Sequence, residues 1–365
     1  MLKIKDIIEY LENFAPLAYQ ESYDNAGLLV GDKSNALQGV LICLDSTEDV
    51  VEEAIARQCN LIVAHHPIIF SGLKKISGTN YIERTVLKAI KNDVAIYACH
   101  TNLDHMLYGV NRKIAEKLLL HNLRVLVPKT DTLQKLTTFV PAAHEEAVRA
   151  ALHAAGAGSI GNYSNCSFSS TGTGRFEPKT GANPHIGEVD RIEEVLETRL
   201  EVVCPAHLTS SIIGALLQAH PYEEVAYYLQ HTSNANQDIG AGMIGTLDKP
   251  LTPTDFLHFL KRQMGLKVIR HTTLPDSEVR TIALCGGSGQ FLLKEAIRAN
   301  ADVFVSADFK YHQFFDADDK IIIADIGHYE SEVFTKELIY EILNKKFRNI
   351  ALNLSEIVTN PIRYL

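Results

Sequence analysis

What the chain lacks narrows its function first. Its longest apolar runs, such as Leu61–Ala64 and Ile321–Ala324, are far below the about 20 residues that a bilayer-spanning helix needs, so no membrane partner is expected. The opening residues Met1-Leu-Lys-Ile-Lys-Asp lead into an amphipathic segment, not an apolar signal core, and the expected location is cytoplasmic. Cysteine is sparse: Cys43, Cys59, Cys99, Cys166, Cys204 and Cys285 stand without any CxxC pair. That excludes a structural zinc knuckle and reads as core thiols of a reducing compartment. No GxSxG occurs, and no Cys/His spacing suggests a nucleophile, so Ser46 and Ser306 have no support in that role. Positive charge is short as well, with 35 Lys+Arg against 44 Asp+Glu and a net charge of −9. This argues against a nucleic-acid partner, which would select a basic face. The one basic run, Lys345-Lys346-Phe347-Arg348, reads as compensation of a helix dipole at a C-terminus. No polar low-complexity tract is present, so disorder is excluded too.

What remains is a chain of 365 residues, 46% hydrophobic and 22% charged, enough for two or three domains with real cores. Apolar positions from 3 to 14 recur at helical spacing. Short apolar runs then alternate with helices: Gly39–Asp45, a helix from Glu48 to Arg57, Leu61–Ala64, a helix over 81–91, and Val94–Cys99. That alternation predicts parallel strands buried on both faces. The C-terminal third repeats it, with strands at Thr281–Cys285, Asp302–Ser306 and Ile321–Asp325, a helix over Phe291–Arg298 and another from Tyr329 to about Leu343. Glu53-Ala-Ile-Ala-Arg57 answers Glu295-Ala-Ile-Arg298, and Leu61–Ala64 answers Val303–Ser306. The fold class is therefore α/β: two pseudo-symmetric lobes forming one discontinuous domain. Between them the texture turns to Ala, Ser, Thr, Gly and Asn, and Phe139-Val-Pro-Ala-Ala-His144 is echoed by Val203-Cys-Pro-Ala-His207. A strand, a helix and strands used twice predict an inserted ferredoxin-like α+β domain. The expected boundaries are 1–127, 128–235 and 236–365.

The fifteen histidines decide the chemistry, because ligands of parallel α/β sheets bind beyond the carboxyl ends of the strands. The second strand ends in His65-His66-Pro67; the third ends in His100, with Asp104 four residues on; the matching strand of the other lobe leads to His328, with Glu332 four residues on. His328 and Glu332, four apart at a helix start, project to the same side. A lone histidine at a strand end is ordinarily a satisfied polar group. Adjacent histidines where Pro67 takes the chain off the strand, with two further His/carboxylate pairs at equivalent ends, favour divalent cations. Three of these histidines with the two carboxylates already exceed the needs of one four-coordinate ion, and a pair of ions about 3.5–4 Å apart would use all five. The metal is expected to be Zn, with Mn, Fe, Ni or Mg also compatible.

Other features carry less. Cys285-Gly286-Gly287-Ser288-Gly289-Gln290 reads either as a tight strand-to-helix turn or as a loop whose N–H groups, at Gly286 and Gly287 above all, cradle an anion. Asp308, Lys310, Tyr311 and His312 read either as a polar surface loop or as a cleft wall where Lys310 or His312 meets substrate charge. Tyr222-Glu223-Glu224 reads as surface and interface, and His105 as an outer neighbour of the site or surface.

With these residues in hand, the chain resembles the Nif-three-like family, the GTP cyclohydrolase I type 2 homologues. The resemblance rests on Asp24-Asn25-Ala26-Gly27-Leu28, Ala64-His65-His66-Pro67, His100-Thr101-Asn102-Leu103-Asp104, Cys285–Gly289, Lys310-Tyr311-His312 and Gly327-His328-Tyr329-Glu330-Ser331-Glu332. Tyr23 stands where many members have Trp. The resemblance implies a dinuclear centre held by His65, His66, Asp104, His328 and Glu332, with Glu332 as bridge. It also implies a PII- and CutA-like insert and a toroidal homohexamer with its metal sites facing inward. Two functions are consistent with this. One is a metal-dependent hydrolase with a nucleotide-like or phosphate-ester substrate, His100 serving in proton transfer. The other is a ring-forming, metal-binding regulatory or scaffold protein that senses a small molecule or partner through its insert.

Overall fold

The computed structural model describes all 365 residues, and the chain divides into two compact units. The first comprises Met1–Pro128 and Asp238–Leu365; the second is Lys129–Gln237.

In the first unit, the strands Gly39–Cys43, Leu61–Ala64 and Ala95–Ala98 pair in parallel, with Gly27–Val30 antiparallel on one edge and Ala351–Leu354 parallel on the other. Every residue of the three central strands is buried, so both faces must be covered, and continuous apolar runs replace alternation. The helices Glu48–Ala56 and Tyr81–Lys91 cover one face. Thr47 caps the first by accepting from the Val50 N–H, with Glu48 and Asp49 in its positive first turn. The second sheet repeats the plan: Val279–Ser288, Val303–Ala307 and Ile322–Asp325 are parallel, flanked by antiparallel Arg270–His271 and Asn236–Leu251. His121–Lys129 completes this sheet.

Two differences from the sequence reading concern who pairs with whom. Ala351–Leu354 lies in the N-terminal sheet and His121–Lys129 in the C-terminal one, so each lobe lends the other an edge strand. Periodicity reports burial, not partners, and could not show this exchange. The helix expected from Tyr329 is also two helices, His328–Glu332 and Thr335–Lys346, interrupted at Val333-Phe334. A single apolar core joins Ile4, Ile7 and Leu11 of the first helix to residues of both sheets, among them Val63, Tyr97, Leu284 and Val305. Five of the six cysteines are buried and all are free thiols, as composition suggested. No helix is long and apolar enough to cross a membrane.

The second unit is a four-stranded antiparallel sheet in the order Phe168–Phe176, Glu193–Pro205, Leu133–Pro141, Tyr227–His231. The helices Glu145–Ala154 and Thr209–Ala219 pack on it through Val148, Leu152, Ile212 and Leu216 against Leu136, Val140, Leu200 and Val202. Its chain order of strand, helix, strand, strand, helix, strand is that of the ferredoxin-like plan.

Candidate metal centre

The site is built where strands stop. Leu61–Ala64 ends because the N–H groups of His65 and His66 turn to the Leu44 carbonyl, at 3.1 and 2.9 Å. The chain thereby leaves the sheet, so that consecutive side chains no longer take opposite faces, and Pro67 fixes the departure. Ala95–Ala98 runs out at His100, and the short helical turn Thr101–Asp104 carries Asp104. In the other lobe Ile322–Asp325 gives way to the turn His328–Glu332, which sets His328 and Glu332 four residues apart on one side.

All five residues expected as ligands converge. The Glu332 carboxylate is buried (3% exposed). Its Oε2 lies 2.9 Å from His66 Nε2 and 3.1 Å from His328 Nε2, while its Oε1 lies 3.8 Å from His65 Nε2. Asp104 Oδ1 is 3.6 Å from the same His65 nitrogen. Each imidazole is gripped from behind through Nδ1: His65 by the Cys99 carbonyl at 2.8 Å, His66 by Asp45 at 2.7 Å, His328 by Asp308 at 2.7 Å. This fixes the rings with Nε2 turned inward, the arrangement that outer carboxylates and carbonyls give to metal-ligating histidines. His65 Nε2 and Asp104 Oδ1 are buried and hydrogen-bond to nothing in the protein. Orphaned buried polar atoms are costly unless something else engages them. His65, His66 and Glu332 together could hold a metal ion, their ligand atoms lying within 4.8 Å of one another. The residues present therefore fit a divalent cation.

Electrostatics within the protein alone are strained accordingly. Burial would raise Glu332, but His328, His65 and His66 outweigh it and hold the carboxyl well below its usual range. Burial, reinforced by the neighbouring Glu332 charge, pushes Asp104 well above it. Burial lowers His65. It would lower His66 and His328 too, yet Asp45 and Glu332 push His66 up to about 9, and Asp308 and Glu332 push His328 up to about 11. Such opposed shifts in one cleft mark functional sites.

The remaining expected site residues separate. His100 lines a cavity of about 490 Å³ together with His66, Asp104, His328 and Glu332, its Nδ1 held by Asp24 at 2.7 Å, while His65 lies fully buried behind the lining. Burial would raise Asp24, but hydrogen bonds from His100 and Thr101 bring it down to about 2. Lys310 and His312 do not line this cavity; they lie in and just before the exposed turn Tyr311–Ala317, where His312 stacks on Phe315. Nor can Gly286 and Gly287 cradle an anion. Their N–H groups already donate to Asn111 Oδ1 and Ser331 Oγ, both at 2.9 Å, and that of Gly289 to Ser306 Oγ. The strand runs on through Ser288, and these glycines serve to let Glu332 come close. His105 is buried against Glu21 at 2.7 Å. Sequence reasoning quoted Asp24 only within a motif of the resemblance and Asp45 only as the end of an apolar run, and gave neither them nor Asp308 a role in holding the histidines. The signal for Asp45 was present, since it closes the apolar run Gly39–Asp45 at the same sheet end as the histidines.

A family description, Duf34/NIF3 (NGG1p interacting factor 3), matches residues 2–361 of this chain. The chain belongs to that family. Its family relatives include a Bacillus subtilis protein named GTP cyclohydrolase 1 type 2 homolog, 41% identical over 99% of this chain and 98% of the relative. A protein of the same name from Halalkalibacterium halodurans is 38% identical over 98% of each. The fold of the family is seen in a Bacillus cereus protein related to NIF3, with a TM-score of 0.88 and 38% identity over 100% of this chain and 99% of that one. A Staphylococcus aureus protein gives a TM-score of 0.80 with 30% identity over the same shares.

Proposed function

We propose that this family member is a metal-dependent hydrolase that holds two divalent ions per chain and acts on a nucleotide-like or phosphate-ester substrate. One observation carries the reading. The two oxygens of the single buried carboxylate Glu332 face separate donor groups, Oε1 toward His65 with Asp104 behind it, Oε2 toward His66 and His328. A carboxylate placed so is suited to bridge.

Divalent ions bound there would supply Lewis acidity, polarising a phosphoryl or carbon–nitrogen centre and bringing water's acidity toward neutrality. The chain's own residues supply the rest. Asp45, Asp308 and the Cys99 carbonyl hold the imidazoles in one tautomer. His100, with Nδ1 committed to Asp24, keeps Nε2 for holding or delivering a proton at the cavity. Tyr23 and Phe70, whose rings lie 6.3 Å apart on the cavity wall, offer a flat base an apolar rest. The relatives' names make GTP the first substrate to try. A homohexamer belongs to the same proposal, and sedimentation of the purified chain tests it.

The deciding experiment is metal analysis of protein purified without chelator, followed by turnover assays with GTP and phosphate esters. About two equivalents per chain, and turnover lost in Glu332→Gln and His66→Ala, are expected. Protein that neither retains nor takes up Zn or Mn, or full turnover in Glu332→Gln, overturns the reading.

A further inference from the structure

The second unit contains a cavity of about 660 Å³, remote in sequence from every residue of the metal centre. Its walls are aromatic: Phe176 packs 5.8 Å from Tyr222, and Phe139 lies 6.0 Å from Tyr228. Within it stands Glu197, a carboxylate only 8% exposed. Its Oε1 accepts from the Tyr222 hydroxyl at 2.9 Å, and no lysine or arginine pairs with it. Burial and this carboxylate push the Tyr222 phenol up, so it remains the donor. Gly174 makes the room, because a Cβ there would collide with Glu197 Oε2.

The charge balance of the walls is one-sided. The lining arginines and lysine already face carboxylates: Arg175 on Glu194, Lys179 on Glu177 at 2.8 Å, Arg199 on Glu201 at 2.6 Å. The one further base of the lining, His185, packs its ring 6.3 Å from that of Tyr222 and forms no ion pair with Glu197. The other acids have no such partner. Glu223 accepts only the Asn183 N–H, at 2.7 Å, and Glu224 has no ion pair. A buried carboxylate without a counter-charge is expensive, and an aromatic enclosure adds attraction for a cation over its ring faces. An anion would meet three uncompensated carboxylates.

We propose that this cavity binds a small organic cation, an amine or guanidinium compound with an apolar body, its charge on Glu197 and its body against Phe176 and Tyr222. The site is independent of the metal centre and of hydrolysis.

Calorimetry on the full-length protein tests this with phenethylamine as probe and phenylacetate as its anionic counterpart. Saturable binding of phenethylamine, at about one equivalent per chain, and none of phenylacetate is expected. Glu197→Gln should weaken binding at least about tenfold while leaving metal content unchanged. The exposed pair Glu223→Gln/Glu224→Gln, which disturbs no core, should weaken it several-fold. Absence of saturation by phenethylamine up to about 10 mM, equal binding of phenylacetate, or unchanged affinity in folded Glu197→Gln overturns the proposal.

Discussion

Gly287 lies directly beneath Glu332: it has φ +60°, and a Cβ at this position would collide with Glu332 Oε1 and come within 3.2 Å of His328 Cε1. The glycine-rich segment is thus a seat for the carboxylate. Gly287→Ala is expected to displace Glu332 and weaken metal binding by about 10–100-fold, the range typical for disturbing a ligand's support. Equilibrium titration with Zn against a competing chelator measures this. Affinity within twofold of the wild type would show that the carboxylate can shift without consequence.

The Nδ1 partners of the histidines lead to a second expectation. Asp308 accepts from His328, and Asp45 from His66, each at 2.7 Å. Neither is one of the five inward-facing residues. Asp308→Ala and Asp45→Ala should each leave the ring free to rotate and lower metal affinity by about 10–100-fold, with metal stoichiometry recoverable at high concentration. Replacement of a ligand would instead lower the stoichiometry itself. Titrations carried to saturation separate the two. Irrecoverable loss in Asp308→Ala would make Asp308 a ligand.

How far the sequence reached depended on whether the relevant signal was local. Burial on both faces is written into the run Leu61–Ala64, so the strand was legible residue for residue. The five inward-facing residues were legible because strand ends converge in this topology, and each stands at or just beyond such an end. The edge strands exchanged between lobes were not, since Ala351–Leu354 pairs with Gly39–Cys43 across nearly the whole chain. The anion-cradle reading of Gly286 and Gly287 failed for a similar reason. Composition shows free N–H groups, but their acceptors, Asn111 and Ser331, come from distant segments.

Glu83 provides a pH test away from the metal centre. Its side chain is buried and accepts from the N–H groups of Ser77 and Thr79 and the Ser77 hydroxyl, all at 2.9 Å. Those bonds, the Thr79 and Ser77 N–H groups foremost, hold its carboxyl at about 2, below the ordinary 4.5. A carboxyl lowered on folding stabilises the native state fully above its unfolded value and loses that contribution as pH falls toward the folded one. The melting temperature of wild type should therefore exceed that of Glu83→Gln most at neutral pH. The gap should close as pH falls from about 4.5 to about 2. A gap independent of pH would mean that the bonds matter only for shape.

The division of donors about Glu332 makes the most specific prediction. His65 faces Oε1 and His328 faces Oε2, on opposite sides of one carboxylate. If each side holds an ion, His65→Ala and His328→Ala should each retain about one equivalent of metal per chain. Glu332→Gln should retain neither tightly, because an amide offers one acceptor oxygen and turns an N–H₂ toward the other side. A single shared ion gives another pattern, in which every ligand substitution reduces the same equivalent. Metal analysis of the three variants after identical dialysis distinguishes the cases. Retention of one tight equivalent by Glu332→Gln, with His65→Ala losing all metal, would place a lone ion on the His65 side and remove the bridging role.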